Sequence, residues 1–260
     1  MAKLKFILIT PFLLLSYFTA LGEENEEAKQ ETRLSAPGDL SRELSVKSIR
    51  VIKLPKGYHE GLFINGEEIW VANGQKLPIW VIDKTTGEVI RTIEPTATFT
   101  EGITRDDKGE IWTTDWDTQN LYRVNIINDR FVPAESVSFG PSHVAGTVFA
   151  AGNIYVLTWT RGLGTKYHLN KFDMSGELKE KLRIENIPEP SQLAWDGKYL
   201  WMSSWFNRRV YFIDPATNEV KGYISTKLDR TTGIAWDGKY LWATGTSEDL
   251  VQFEIEPVGE

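Results

Sequence analysis

The sequence predicts an all-β fold: a five-bladed β-propeller of four-stranded antiparallel sheets, its ring closed by an N-terminal strand that pairs into the last blade. Three observations carry this prediction. The run AWDGKYLW occurs twice, at 194–201 and 235–242, 41 residues apart, and repeats of this length with several strands each are the signature of propeller blades. Aligning upstream on the aromatic residue that opens the second strand gives Trp70, Trp112 and Tyr155 before Trp201 and Trp242, so five units begin at Gly61, Gly102, Gly146, Gln192 and Gly233, with spacings of 41, 44, 46 and 41. The fifth unit stops after Leu250–Glu256 without a fourth strand, whereas a spare strand, Ser48–Leu54, precedes the first unit. Pairing the two ends leaves no open edge in the ring.

Within a unit each element has a local reason. A short apolar run ends in Trp-Asp-Gly-Lys, where Asp-Gly supplies the tight turn of a hairpin. In the fullest copy the second strand is followed by a third at Arg209–Asp214, a Pro-Ala-Thr-Asn turn at 215–218 and a fourth strand at Glu219–Ile224.

Ahead of the propeller, assigned to 47–260, lie two further segments. Residues 1–22 read as a signal peptide: Lys3 and Lys5, then an apolar run from Phe6 to Phe18, then the small residues Ala20 and Gly22. Residues 23–46 are rich in Glu, Lys, Arg and Ser and read as a charged, disordered linker, because they carry too little apolar surface to offset their ordering entropy. The expected location is therefore secreted or periplasmic, with no membrane association after cleavage.

Composition excludes several functions. The net charge of −7 offers no basic stripe for nucleic acid. With no cysteine, disulfides, thiolate metal sites, a cysteine nucleophile and a lipoprotein anchor are all excluded. His59 and His143 lack a third partner, so no metal and no cofactor are expected. His168, at the start of a third strand, is read as a surface residue.

A propeller gathers the starts of its inner strands around one axis. The residues read as preceding those strands are Glu60, Glu101, Ala145, Ser191 and Thr232, which places two carboxylates on a shared channel. Four residues beyond each second-strand aromatic stand Gly74, Trp116, Trp159, Trp205 and Thr246, so three adjacent blades bring indoles to one level. Trp70, Trp112, Trp195, Trp201, Trp236 and Trp242 are assigned instead to the packing between blades. The expected partner is a peptide or small molecule in the central channel of a monomer.

These motifs resemble the plant and bacterial type of glutaminyl cyclase, or glutamine cyclotransferase, a family of five-bladed propellers. Tyr58-His59-Glu60-Gly61-Leu62 is similar to the F-T-Q/E-G-L element entering the family's first blade, and Phe99-Thr100-Glu101-Gly102-Ile103-Thr104 to the F-G-E-G-L-T element of its second. Ile111–Trp116 resembles L-Y-x-x-x-W, Tyr199–Trp205 resembles E-V-W-A-N-x-W, and Thr232–Asp237 resembles N-G-I-A-W-D, so the likeness spans Ser48 to Glu256. It implies conversion of an N-terminal glutamine to pyroglutamate with release of ammonia. Glu101 would be the acid/base and Glu60 would hold the substrate's amino group. Trp116 and Trp205 would wall the pocket, with Trp159 filling the place of a tryptophan that falls at Ala145. Two positions depart from the pattern: the family's fourth-blade asparagine is Ser203, still placed against the substrate, and its fifth-blade lysine falls at Thr246. Two other readings stand beside this one. The first is a non-catalytic propeller binding peptide or carbohydrate. The second is a calcium-dependent, gluconolactonase-like hydrolase, which would need several oxygen ligands on one cation, with Asn73 and Asp115 as contributors.

Overall fold

The structure is a computed structural model that describes residues 32–36, 42–96 and 98–256. The signal-peptide reading of 1–22 falls outside the described residues, as does most of the linker reading. The described chain is all strand and turn. After β1 (Arg33–Ser35) and β2 (Val46–Lys53), blade one contains β3 (His59–Asn65), β4 (Glu68–Asn73), β5 (Ile79–Asp83) and β6 (Val89–Ile93). Blade two contains β7 (Thr100–Arg105), β8 (Ile111–Asp115), β9 (Asn120–Ile126) and β10 (Phe131–Ser138). Blade three contains β11 (Ser142–Ala150), β12 (Asn153–Thr160), β13 (Lys166–Phe172) and β14 (Leu178–Glu185). Blade four contains β15 (Pro190–Trp195), β16 (Leu200–Ser204), β17 (Arg209–Asp214) and β18 (Glu219–Ser225). Blade five contains β19 (Thr231–Trp236), β20 (Leu241–Gly245) and β21 (Asp249–Ile255), and β2 completes it by pairing antiparallel to β21 with Val51 opposite Val251. The inner strands β3, β7, β11, β15 and β19 pack in succession, and β19 returns to β3.

The core is divided among the five interfaces between blades. Each holds one second-strand aromatic: Trp70 between blades one and two, Trp112 between two and three, Tyr155 between three and four, Trp201 between four and five, and Trp242 between five and one. The indole nitrogens are anchored by acids of the preceding turn or strand start. Trp112 donates to Asp106 at 3.0 Å, Trp201 to Asp196 at 2.7 Å, Trp242 to Asp237 at 2.8 Å and Trp70 to Glu68 at 2.8 Å. In the WDGK copies the other oxygen of the same carboxylate accepts the turn's amides, those of Lys198 and Tyr199 in one and of Lys239 and Tyr240 in the other. The repeated acid thus closes the hairpin and orients the wedge that fills the interface. Trp236 stacks parallel on Trp201, consistent with its assignment to interblade packing.

Part of the segment read as a disordered linker is ordered instead. Arg33–Ser35 lie parallel to β14 as a fifth strand of blade three, and Glu43 bridges to Tyr223 on the outer strand of blade four. The physical reason is Leu34, fully buried in the interface between blades three and four, a single apolar anchor within a charged run. His168 also differs from its surface reading: it is buried on β13, 5% exposed.

Near the axis the blades approach too closely for side chains. A Cβ at Gly61 would stand 2.1 Å from the carbonyl oxygen of Glu101, and one at Gly233 would stand 2.1 Å from that of Glu60. Blade four breaks the glycine pattern with Gln192, whose buried amide fills the gap. Its Oε1 accepts from the amides of Thr147 (3.1 Å) and Leu193 (2.9 Å), and its Nε2 donates to the Glu101 carbonyl (3.0 Å). Gln192→Ala leaves these backbone groups buried without partners, and each such group costs about 1–3 kcal/mol. The variant is therefore expected to lose roughly 3 kcal/mol of unfolding free energy, measured by urea titration. A loss below about 0.5 kcal/mol, the level of an ordinary surface substitution, contradicts the role assigned to this amide.

Candidate active site

Every inner strand carries one residue more than the strand it pairs with. The register slips between His59 and Leu62, Thr100 and Gly102, Val144 and Thr147, Pro190 and Leu193, and Thr231 and Gly233. Such bulges re-aim a side chain and recur beside active sites. The residues at these slips are Glu60, Glu101, Ala145, Ser191 and Thr232, so they lie inside the inner strands rather than ahead of them. Four of the five line one cavity of about 390 Å³.

Trp116, Trp159 and Trp205 wall the same cavity, as their spacing in the repeat implies. Trp116 stacks on His143 with ring centres 4.4 Å apart and meets Trp159 edge-on at 5.3 Å. Trp159 is held by donating its indole N–H to the Pro190 carbonyl at 2.7 Å and by an edge contact with Tyr167. The cavity is lined as well by Tyr58 and Phe99, packed edge to face at 5.4 Å, and by Glu189 and Arg161. None of these four is among the residues expected at the site. A signal for three of them was present in the repeat: Tyr58, Phe99 and Glu189 each stand two residues before a bulge residue, and their carbonyls accept the amides of Gly74, Trp116 and Trp205.

Glu60 and Glu101 are 7% and 8% exposed. Burial is the largest cause raising both carboxyls. Glu60 is raised well above the ordinary carboxylate range by burial and then by the charge of Glu101. Glu101 is pushed up to about 8 by burial and then by Asp115 and Asp117. Among the described residues neither carboxyl takes a hydrogen bond, and no arginine pairs with either. Two buried carboxyls in one indole-walled cavity, one of them pushed up to about 8, form an arrangement suited to general acid/base chemistry.

Ser203, expected against the substrate, lies outside the cavity. It is fully buried behind Ser191, which takes the lining position. The hydroxyls form a relay. Ser191 donates to the Thr231 carbonyl at 2.8 Å and stands 2.8 Å from Ser203, whose own proton can go to Ser191 or to the Gln192 carbonyl at 3.5 Å. Ser203 in turn accepts from the Gln192 amide at 3.0 Å. The remaining lone pair of Ser191 makes it an acceptor for a ligand N–H.

The oxygens expected for a calcium site are engaged elsewhere. Asp115 accepts from the amides of Phe99 and Thr118, and the Asn73 side chain bonds His59, Val71 and Pro78. Among the described residues no group of three or more His, Asp or Glu side chains could hold a metal ion.

The raised carboxyl has a consequence for stability. Between the ordinary glutamate value near 4.5 and about 8, the folded chain keeps a proton on Glu101 that the unfolded chain has released. The unfolded state then binds fewer protons, so this residue's contribution to stability falls as pH rises through that window, by at most about 1.4 kcal/mol per pH unit. Glu101→Gln is expected to be more stable than wild type above pH ~5, by a margin that grows up to pH ~8 and then levels. Parallel melting-temperature curves for the two proteins across this range contradict the raised value.

No protein-family model matches the chain, and no curated protein sequence matches it. Among solved structures it is similar to the glutaminyl cyclase of Myxococcus xanthus, with a TM-score of 0.67 at 14% identity, covering 83% of this chain and 99% of that one. It is also similar to a catalytically inactive virginiamycin B lyase from Staphylococcus aureus with quinupristin, with a TM-score of 0.50 at 15% identity, covering 78% and 68% of the two chains. A third likeness is the Cps50 (Swd1) β-propeller domain of Myceliophteria thermophila, with a TM-score of 0.50 at 10% identity, covering 82% and 100%. At these identities the likenesses establish the propeller fold, and function has to be argued from the site.

Proposed function

We propose that this propeller is a glutaminyl-peptide cyclotransferase that converts the N-terminal glutamine of a peptide to pyroglutamate. The observation that carries this reading is the pair of bulge-borne carboxyls, Glu60 and Glu101, buried without partners among the described residues in one indole-walled cavity. In the reaction the α-amine attacks the side-chain carbonyl carbon, the new C–N bond closes a five-membered lactam, and the C–N bond to the side-chain nitrogen breaks. Glu101, as carboxylate, takes the proton shed by the attacking amine. As carboxylic acid it gives a proton to the departing nitrogen, which leaves as ammonia, and the residue returns to its starting form.

Glu60 holds the amine by accepting its N–H. Ser191 accepts from the side-chain NH₂, a contact that a glutamate side chain in its ionised form could not make. Trp116, Trp159 and Trp205 exclude water and hold the glutamine chain close to its own amine. Similarity to a solved glutaminyl cyclase supports the reading at the level of the scaffold. Residues 1–22, read as a signal peptide, would place the activity outside the cytoplasm.

Following ammonia release from a Gln-initiated peptide tests the proposal. Wild type is expected to turn over, with kcat/KM rising as pH approaches about 8 and Glu101 spends more time as carboxylate. Glu101→Gln is expected to lose about 10²-fold or more, the scale of general acid/base catalysis, while still quenching tryptophan fluorescence on peptide binding. A Glu101→Gln enzyme with wild-type turnover removes the proposed role. Peptide binding by wild type with no ammonia released would leave a propeller that binds without catalysis.

A further inference from the structure

The cavity has a second chemical character at its mouth. Arg161, on blade three, lines the cavity and lies over the ring of Trp116 at 5.7 Å. Arg230, two residues before the bulge residue Thr232, lies over the ring of Trp205 at 4.1 Å, and its charge is felt by the Tyr58 phenol. Two indoles that wall the site therefore each carry a guanidinium, one contributed across the interface between blades two and three and the other across that between four and five. Among the described residues neither guanidinium makes an ion pair or a hydrogen bond, although acids are plentiful in a chain of net charge −7. Nearby acids have other engagements: Asp117 accepts from Thr98, and Asp229 is taken by Arg208. Glu189, the other acid of the rim, stands beside Tyr167 and pairs with neither arginine.

Arg230 also occupies a telling place in the ring. A Cβ at Gly245 would stand 2.0 Å from the Arg230 carbonyl, so this arginine is adjacent to Thr246, the exposed neutral residue where the family resemblance sets a lysine.

We propose that Arg161 and Arg230 form a carboxylate-recognition rim, which selects peptides carrying an anionic group one or two residues beyond the amine held at the floor. The proposal rests on the cyclotransferase reading for the identity of the N-terminal residue and is otherwise independent of it. A guanidinium held over an indole face spends none of its N–H donors on another protein group, and it can meet a carboxylate in the bidentate geometry that makes such contacts strong. Two sources of the carboxylate fit equally: the free C-terminus of a di- or tripeptide, or the side chain of Asp or Glu following the glutamine.

Three tripeptides separate these sources: Gln-Gly-Gly amide with no carboxylate, Gln-Gly-Gly with a free C-terminus, and Gln-Glu-Gly amide. Each is assayed for ammonia release and, in parallel, for binding by tryptophan fluorescence. At low salt at least one carboxylate-bearing peptide is expected to exceed the neutral amide about tenfold in kcat/KM and in affinity. The advantage should shrink in 0.5 M NaCl. Arg161→Gln and Arg230→Gln are each expected to reduce that ratio toward one, with thermal stability checked to exclude misfolding.

Equal values across the three peptides, or a preference that survives both substitutions, overturns the rim. If no peptide releases ammonia but carboxylate-dependent binding persists and is lost in the arginine variants, the rim stands and the cyclotransferase reading falls. If no peptide binds at all, the rim falls as well.

Discussion

One extra residue in each inner strand is the constraint on which the rest of the molecule depends. A strand that paired residue for residue with its neighbour would alternate its side chains between the two flanking blades. The surplus residue interrupts that alternation in all five blades, and in four of them its side chain lines one shared cavity. Interblade packing then sets how near those side chains come. The second-strand aromatics fill the outer part of each wedge, glycines and the Gln192 amide close the inner part, and blades one and two meet where Gly61 lies against the backbone of Glu101. Glu60 and Glu101 share a cavity because two consecutive blades put acids at the same bulge.

That placement opposes stability. Burying two carboxyls without partners favours their neutral forms, and the like charge of the second opposes ionisation of the first. A structural role would have been better served by a hydrogen bond or an arginine, and Arg161, which lines the same cavity, lies over Trp116 instead. Ser191, Ser203 and the Thr231 carbonyl supply the complement: a hydroxyl whose own proton is committed, leaving it able only to accept. The cavity thus combines groups that accept or exchange protons with indole walls.

The scaffold was legible in the sequence because its repeat is built from local chemistry. An acid in the turn and an aromatic at the head of the next strand recur because one orients the other, and the pattern survives in blades whose remaining residues have diverged. The spare strand before the first unit was legible for the same reason: five hairpins and one missing strand leave one solution. The walls of the site followed from repeat position. What stayed hidden depended on long-range contact. Leu34 resembles any leucine in a charged tail until β14 is beside it. Ser203 and Ser191 cannot be ranked by spacing, since only the assembled blades show that Ser191 lines the cavity and Ser203 lies buried behind it. Gln192 looks like a repeat that has lost its glycine, and its role as the plug of the axis becomes visible only when three blades are assembled around it.

Glu101 is buried in the indole-walled cavity, where its carboxyl is pushed up to about 8. Carbon-13 NMR titration of glutamate side-chain carboxyls, with Glu101 assigned by its disappearance in Glu101→Gln, measures this directly. A carboxyl resonance titrating near 8, far from the bulk of the glutamates, is expected. A Glu101 resonance that titrates with the exposed glutamates near 4.5 would mean that the cavity is wet, and the acid/base assignment would fail with it.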